Sequence, residues 1–487
     1  MTARSLSRVM GKHARPVAVR TSDVAVVESP SDFYELLCRG ISQAKTSITL
    51  STLYMGTHTE KENKLISLLS QASERGVRVK LLLDAMRAKR GGTNPRGYPS
   101  SLADTLAKSL LGAKRGGGKG NLSVSLYHTP TASRLTSTLM RPPYGEILGV
   151  CHMKAYVFDD TVVMSGANLN EKYFTTRQDR YISIRNAQLA HVTTSIIDAI
   201  SKNSFRLNHL GAFEEPPGGI SPISAPRAFG EKLYSDLTET ARGVSSGEVP
   251  TSCLDGQNAS GEEALVFPLV QLGCINYRQD EEAVGAFLAN LSRGDKLQVS
   301  SGYLNPTRQL EEAFARSGCA VDFITASPSA NGFFQSPKGS PKALIPFVYQ
   351  SLAYESIRRM QSYQQNTTLP SSSRASGSTV SLYEYGRQGW QYHAKGLWYT
   401  PFSEGREAGP LATFIGSPNY GYRSQDKDLE MQFFILSQCE NLRERLRVEV
   451  DSLFKHSMRS KSQRREKGRG REKVLVSLSS KLCRKWL

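Results

Sequence analysis

At 487 residues the chain has room for two or more domains and a sizeable core. No run approaches the roughly 18 consecutive apolar residues of a membrane-spanning helix. The formal net charge of +18 sits at the ends: Lys455 to Leu487 has 12 Lys and Arg against Glu466 and Glu472, Met1 to Ser22 has five basic residues and no acid, and only +3 is left for the body. That body is too close to neutral for a nucleic-acid groove, so no nucleic-acid partner is expected. The seven cysteines form no C-x-x-C pair, which argues against a structural zinc or a disulfide framework.

In chain order, residues 1–22 are Arg-rich, contain Ser and lack acid, the composition of a mitochondrial transit segment. A first half over 23–210 then reads as helix Asp32 to Ala44, strand Ile48 to Tyr54, helix Lys61 to Arg75, strand Val77 to Asp84 and strand Leu122 to Tyr127. The Gly/Arg/Lys-rich stretch Met86 to Pro99 and the cluster GAKRGGGKG at 112–120 read as exposed loops. The latter lacks the phosphate-loop spacing. Residues 211–263, rich in Pro, Gly and Ser, read as a linker with one helix near Glu231 to Ala241.

A second half over 264–456 repeats the order: helix Glu281 to Leu291, strand Lys296 to Tyr303, helix Gln309 to Ser317, strand Ala320 to Thr325. Gln361 to Ser378 reads as a surface insertion. Helix Cys439 to His456 leads into a basic tail over 457–487, suited to anionic lipid surfaces. The expected fold class is α/β, two mixed-sheet half-domains with the active site at their interface.

Each half carries the same constellation. His152-x-Lys154 precedes Asp159 and Gly166-Ala167-Asn168; His393-x-Lys395 precedes Gly416-Ser417-Pro418-Asn419. Eleven positions beyond each Asn stands a carboxylate, Asp179 and Glu430. Spacing by one residue puts His and Lys on the same side of an extended segment. With no metal site in the sequence, phosphodiester chemistry rests on charge neutralisation by Lys154 and Lys395 and amide hydrogen bonds from Asn168 and Asn419. One imidazole attacks phosphorus and the other moves the proton. Each ring needs a carboxylate to fix its tautomer, and Asp179 is the expected partner of His152, Glu430 of His393. Arg177 and Arg423 are candidates to bind a substrate phosphate. Cys151, beside His152, reads as a small buried apolar residue.

These residues resemble the phospholipase D superfamily pattern H-x-K-x4-D-x6-G-S-x-N. Asn168 comes one position early, Ala167 replaces Ser, and Thr400 stands where the first copy has Asp159. The larger resemblance is to its phosphatidylglycerophosphate synthase branch, carried by ITLSTLYMGT (48–57), SGANLNEKYFTTRQDRY (165–181), VSSGYLNPT (299–307), ASPSANGFF (326–334), GWQYHAKGLWY (389–399) and FIGSPNYGYRSQDKDLE (414–430). The resemblance implies a two-lobed fold and a phosphohistidine intermediate on His152, with no redox cofactor. It also implies CDP-diacylglycerol and glycerol 3-phosphate as substrates, with peripheral attachment to the mitochondrial inner membrane. It leaves Asp159 one-sided, in a structural or orienting role. A phospholipase D-type phosphodiesterase or a cardiolipin-type synthase is the alternative.

Overall fold

The structure, a computed structural model, describes residues 1–93, 99–112, 121–130, 144–243, 262–337, 339–366, 379–402, 408–460 and 484. Two nine-stranded mixed sheets dominate the described residues. In the first, Ser47–Ser51, Arg78–Asp84 and Leu122–Tyr127 run parallel, because each pair is joined through a helical segment. The antiparallel strands Ala155–Phe158, Thr161–Ser165 and Tyr181–Arg185 continue the sheet on the other side of Ser47–Ser51. The second sheet repeats this arrangement with Lys296–Ser300, Ala320–Ala326 and Val380–Tyr385 in parallel, followed by Gly396–Thr400, Ala412–Gly416 and Glu430–Ser437. Every residue of Glu430–Ser437 is buried, as expected of a strand covered on both faces.

Local chemistry sets the helix starts. Ser29 caps Pro30–Gln43 with Pro in the first turn, and Thr59 and Glu62 form a capping box on Glu60–Glu74. One apolar cluster lies under the outer helices of each half. A third cluster joins the halves, packing Cys151, Met153 and Ile182 with Tyr392, Ala394, Met431 and Phe433.

Three segments carry more structure than their composition suggested. Residues 1–22 pack into the body: Ala3–Met10 is a helix whose Leu6 and Met10 are fully buried in the second half's core, and Val17–Arg20 pairs antiparallel with Glu263–Gln271. The basic residues of this segment, Arg4, Arg8, Lys12, Arg15 and Arg20, are exposed on its outer face. Within 211–263 the expected helix is present and longer, Pro226–Gly243, and it buries Phe229, Leu233 and Leu237. The insertion at 361–378 begins inside a 22-residue helix, Ile345–Asn366. The rest of that insertion, residues 113–120 of the glycine cluster, 94–98 of the basic loop, 244–261 of the linker and most of the tail lie outside the described residues. Arg484, within the tail, pairs with Glu311 at 2.6 Å.

Removing residues 1–22 uncovers Leu6, Met10, Val17 and Val19, each at most 2% exposed in place. At about 1.5–3 kcal/mol per buried apolar side chain, that loss is comparable with the whole stability of a domain. The truncated chain is expected to be insoluble or to melt far below the full chain, which calorimetry or a solubility assay would show.

Arg180 joins the halves. Its buried guanidinium forms a two-pronged ion pair with Glu449 at 2.8 Å, donates to the carbonyl of Phe414 and stacks on Trp398, whose indole N–H also donates to Glu449. Gly396, at φ +139°, leaves the space this guanidinium fills. Arg180→Met strands a buried carboxylate and is expected to cost about 3–5 kcal/mol in a denaturant titration. Arg180→Met with Glu449→Leu should recover much of that loss.

Candidate active site

The two His-x-Lys segments come together by reaching across the interface. The backbone N–H of His152 donates to the carbonyl of Leu429, 2.8 Å away. In the mirror arrangement the N–H of His393 donates to the carbonyl of Gln178, also at 2.8 Å. Each contact belongs to a short parallel pairing, Cys151 with Leu429 and Arg177–Gln178 with Gln391–Tyr392. The residue after each accepting carbonyl is a carboxylate, Glu430 or Asp179. Each histidine is therefore met by the carboxylate of the other half.

This corrects the expected pairing. His152 Nδ1 lies 2.9 Å from Glu430, and His393 Nδ1 lies 2.6 Å from Asp179. An ionised carboxylate only accepts, so Glu430 favours a proton on His152 Nδ1 and a lone pair on its Nε2; Asp179 favours the same at His393, where Lys395 Nζ also stands 2.7 Å from Nδ1. Burial lowers the His152 pKa, against the pull of Glu430. Burial, with Lys395 next to it, holds His393 well below an ordinary imidazole. The carboxylates differ. Burial pushes Glu430 up, but His152 and Lys154 outweigh it and keep it below the usual range; Asp179 is raised by burial to about 6.

The lysines occupy the floor. Lys154 Nζ and Lys395 Nζ each donate to the carbonyl of the histidine two residues earlier, both at 2.5 Å. Burial brings Lys154 to about 7, with Lys395 lowering it further, and Lys395 to about 8. Gly166 is small because it must be: a Cβ there would stand 2.7 Å from Asp179 Oδ1 and 3.1 Å from Lys395 Cδ. Asn168 Nδ2 donates to the Tyr173 hydroxyl at 3.0 Å, and that hydroxyl stands 3.2 Å from His393 Nε2. Asn419 Oδ1 is buried without a hydrogen-bond partner.

Arg177 lies over the Tyr173 ring and donates to Gln391 Oε1, close enough to His393 to lower its pKa. Arg423 is committed differently, to a two-pronged pair with Asp428 and to the carbonyl of Glu146. Of the two roles open to Asp159, part of the catalytic constellation or structural, its contacts are those of the second. Its carboxylate accepts from the N–H groups of Lys45, Thr46 and Ser47, tying a turn at the end of a strand, and it takes no part in the constellation. Cys151 is fully buried, its thiol pushed up to about 12 by burial.

Several neighbours of the site were not found from sequence. Asp84 and Asp428 accept from the N–H groups of Cys151 and Val150 and so hold the strand entering His152. Tyr173 caps His393, and the Tyr303 ring stands edge-on to the same imidazole at 5.9 Å. Their only signal was position, three inside the quoted motif segments and Asp84 at a strand end. Among the described residues no cluster of three or more His, Cys, Asp or Glu could hold a metal ion.

The family model described as "Cardiolipin synthase, PLD-like domain" matches residues 37–200. The crystal structure of phosphatidylserine synthase from Haemophilus influenzae shares the fold, with a TM-score of 0.72 over all of both chains at 17% identity. A probable CDP-diacylglycerol–glycerol-3-phosphate 3-phosphatidyltransferase of Dictyostelium discoideum is 31% identical over 90% of this chain and 73% of its own length. The mitochondrial enzyme of that name from Homo sapiens is 30% identical over 90% and 78%. With both halves of the site in place and this extent of similarity, the chain belongs to the CDP-diacylglycerol–glycerol-3-phosphate 3-phosphatidyltransferase family.

Proposed function

We propose that this chain transfers the phosphatidyl group of CDP-diacylglycerol to sn-glycerol 3-phosphate, giving phosphatidylglycerophosphate and CMP. The crossed pair of histidine–carboxylate couples, set above two buried lysines, is the observation that carries this reading. His152 Nε2 attacks the phosphatidyl phosphorus, the bond to the CMP phosphate breaks, and His393 supplies the proton. His393 then takes a proton from a hydroxyl of glycerol 3-phosphate. The hydroxyl oxygen bonds to phosphorus as the phosphorus–nitrogen bond to His152 breaks.

Two asymmetries favour His152 as nucleophile. Its side chain is 13% exposed against 6% for His393, and Tyr173 covers the Nε2 of His393. His393 is neutral in the free site, and the negative pyrophosphate offsets the nearby cations and raises its pKa on binding. Lys154, Lys395, Asn168 and Asn419 hold the phosphate oxygens. Arg177, beside His393, suits the phosphate of the acceptor. Arg423, already paired with Asp428, serves chiefly to fix the strand entering His152.

Placement in the mitochondrion draws on the names of the relatives, and peripheral seating on the inner membrane is part of the proposal. No helix among the described residues is long and apolar enough to cross a membrane. The discriminating assay follows CMP release from CDP-diacylglycerol in micelles with and without glycerol 3-phosphate. Transfer requires the acceptor and yields phosphatidylglycerophosphate. Phosphatidic acid formed in water alone would make the chain a hydrolase of the phospholipase D type.

The buried lysines set a pH dependence. Each must carry its proton to hold an anionic substrate, and the proton is lost as pH rises through about 7 for Lys154 and about 8 for Lys395. Because kcat/KM reports the free enzyme, it should fall above neutrality. The alkaline break in kcat should lie higher, because bound pyrophosphate stabilises both ammonium groups. A kcat/KM flat to pH 9 would remove the lysines from substrate binding.

A further inference from the structure

The wall of the site beside His393 rises into an exposed aromatic surface. Tyr303 links the two: its ring stands 5.9 Å from His393, 4.9 Å from Tyr349 and 6.3 Å from Phe333. The loop before the long helix Ile345–Asn366 packs its backbone at Gly332 against the Tyr303 hydroxyl and the Arg177 guanidinium. Its tip is built, since buried Asn331 accepts from the N–H of Phe333 through its side chain and from that of Phe334 through its carbonyl. Phe333 and Phe334 are nevertheless 36% and 49% exposed, and Phe347, two residues before Tyr349, is 43% exposed.

Large phenylalanine rings left in water within 15 residues of one another differ from the scattered single apolar side chains of an ordinary surface. Charge points the same way. From Phe323 to Tyr354 there is no acidic residue, and Lys338 and Lys342 are the only charged ones. Exposed Lys172 reaches the same loop, donating to Gln335 at 3.4 Å.

We propose that Phe333, Phe334 and Phe347, with Lys172 and Lys342, are the surface by which this protein seats on an anionic bilayer, the mouth of the active site opening at the lipid headgroups. The inference rests on the transferase reading, in which one substrate is held in a membrane by two acyl chains. Aromatic rings enter the interfacial layer, the lysines meet anionic headgroups, and the phosphatidyl group reaches His152 without its chains crossing water.

The test uses the full-length chain, wild type against F333S/F334S/F347S. Three readouts are needed: flotation with phosphatidylcholine–phosphatidylglycerol vesicles, turnover of vesicle-embedded CDP-diacylglycerol, and turnover of a monomeric short-chain CDP-diacylglycerol. The variant is expected to bind vesicles and turn over embedded substrate at least about tenfold less well, while short-chain turnover stays within about twofold. Unchanged flotation would overturn the proposal. So would equal loss on both substrates, which would place the rings in the site or the fold. Light scattering that finds a wild-type dimer and a monomeric variant would assign the patch to a second copy instead. If wild type transfers nothing from either substrate while flotation depends on the rings, the transferase reading fails and the lipid surface stands.

Discussion

His152→Ala is expected to lower transfer by at least about 10⁴-fold, because no other nucleophile can form the covalent intermediate. His393→Ala should cost about 10²–10⁴-fold, the range of a lost general acid–base. The two differ in kind as well as size. Denatured by rapid acid-free quench after mixing with labelled CDP-diacylglycerol, the His393 variant should still carry label on His152, because attack needs only the Nε2 lone pair. The His152 variant should carry none. A labelled His393 in the His152 variant would reverse the assignment that exposure and the Tyr173 contact support. Each variant leaves a buried carboxylate, Glu430 or Asp179, without its histidine, so a thermal melt accompanies the assay; the segments themselves stay held by the backbone hydrogen bonds to Leu429 and Gln178.

The second large effect follows from the crossed carboxylates. Glu430→Gln removes the acceptor that keeps the proton on His152 Nδ1, and its amide can donate there and favour the wrong tautomer. A loss of about 10³–10⁴-fold is expected, near that of the nucleophile itself. Asp179→Asn should strike His393 instead, with a smaller loss bounded by the general acid–base contribution. Nitrogen chemical shifts of labelled histidine separate this arrangement from the uncrossed one. The His152 tautomer should change in Glu430→Gln and stay as in wild type in Asp179→Asn. The opposite pattern would mean that each carboxylate serves the histidine of its own half.

Much of the fold was legible because local signals agreed with tertiary demand. The strand Leu122–Tyr127 and the helices Pro30–Gln43 and Glu60–Glu74 combine clear periodicity with caps or turn residues at their ends. The packing of Ala3–Met10 was not legible, because its basic outer face dominates a composition count, whereas its Leu6 and Met10 need a partner surface in the second half to count as core. Ile345–Asn366 was missed because its Gln- and Ser-rich C-terminal turns look like a solvated insertion. Asp159 entered the site by motif spacing alone, and only the fold reveals three backbone donors already occupying it.

The sequence by itself determined the duplication, the two His-x-Lys pairs, and the presence of one carboxylate for each histidine. Those features depend on residue type and short-range spacing, which the chain carries wherever it folds. Tertiary structure alone decided which carboxylate serves which histidine, that Tyr173 and Tyr303 face His393, and that the first 22 residues complete the second half's sheet and core. The physical reason is the parallel pairing of each His segment with a strand end of the opposite half. It places Glu430 one residue beyond the hydrogen bond to His152, and Asp179 one beyond that to His393, across separations of 278 and 214 residues that no local pattern spans.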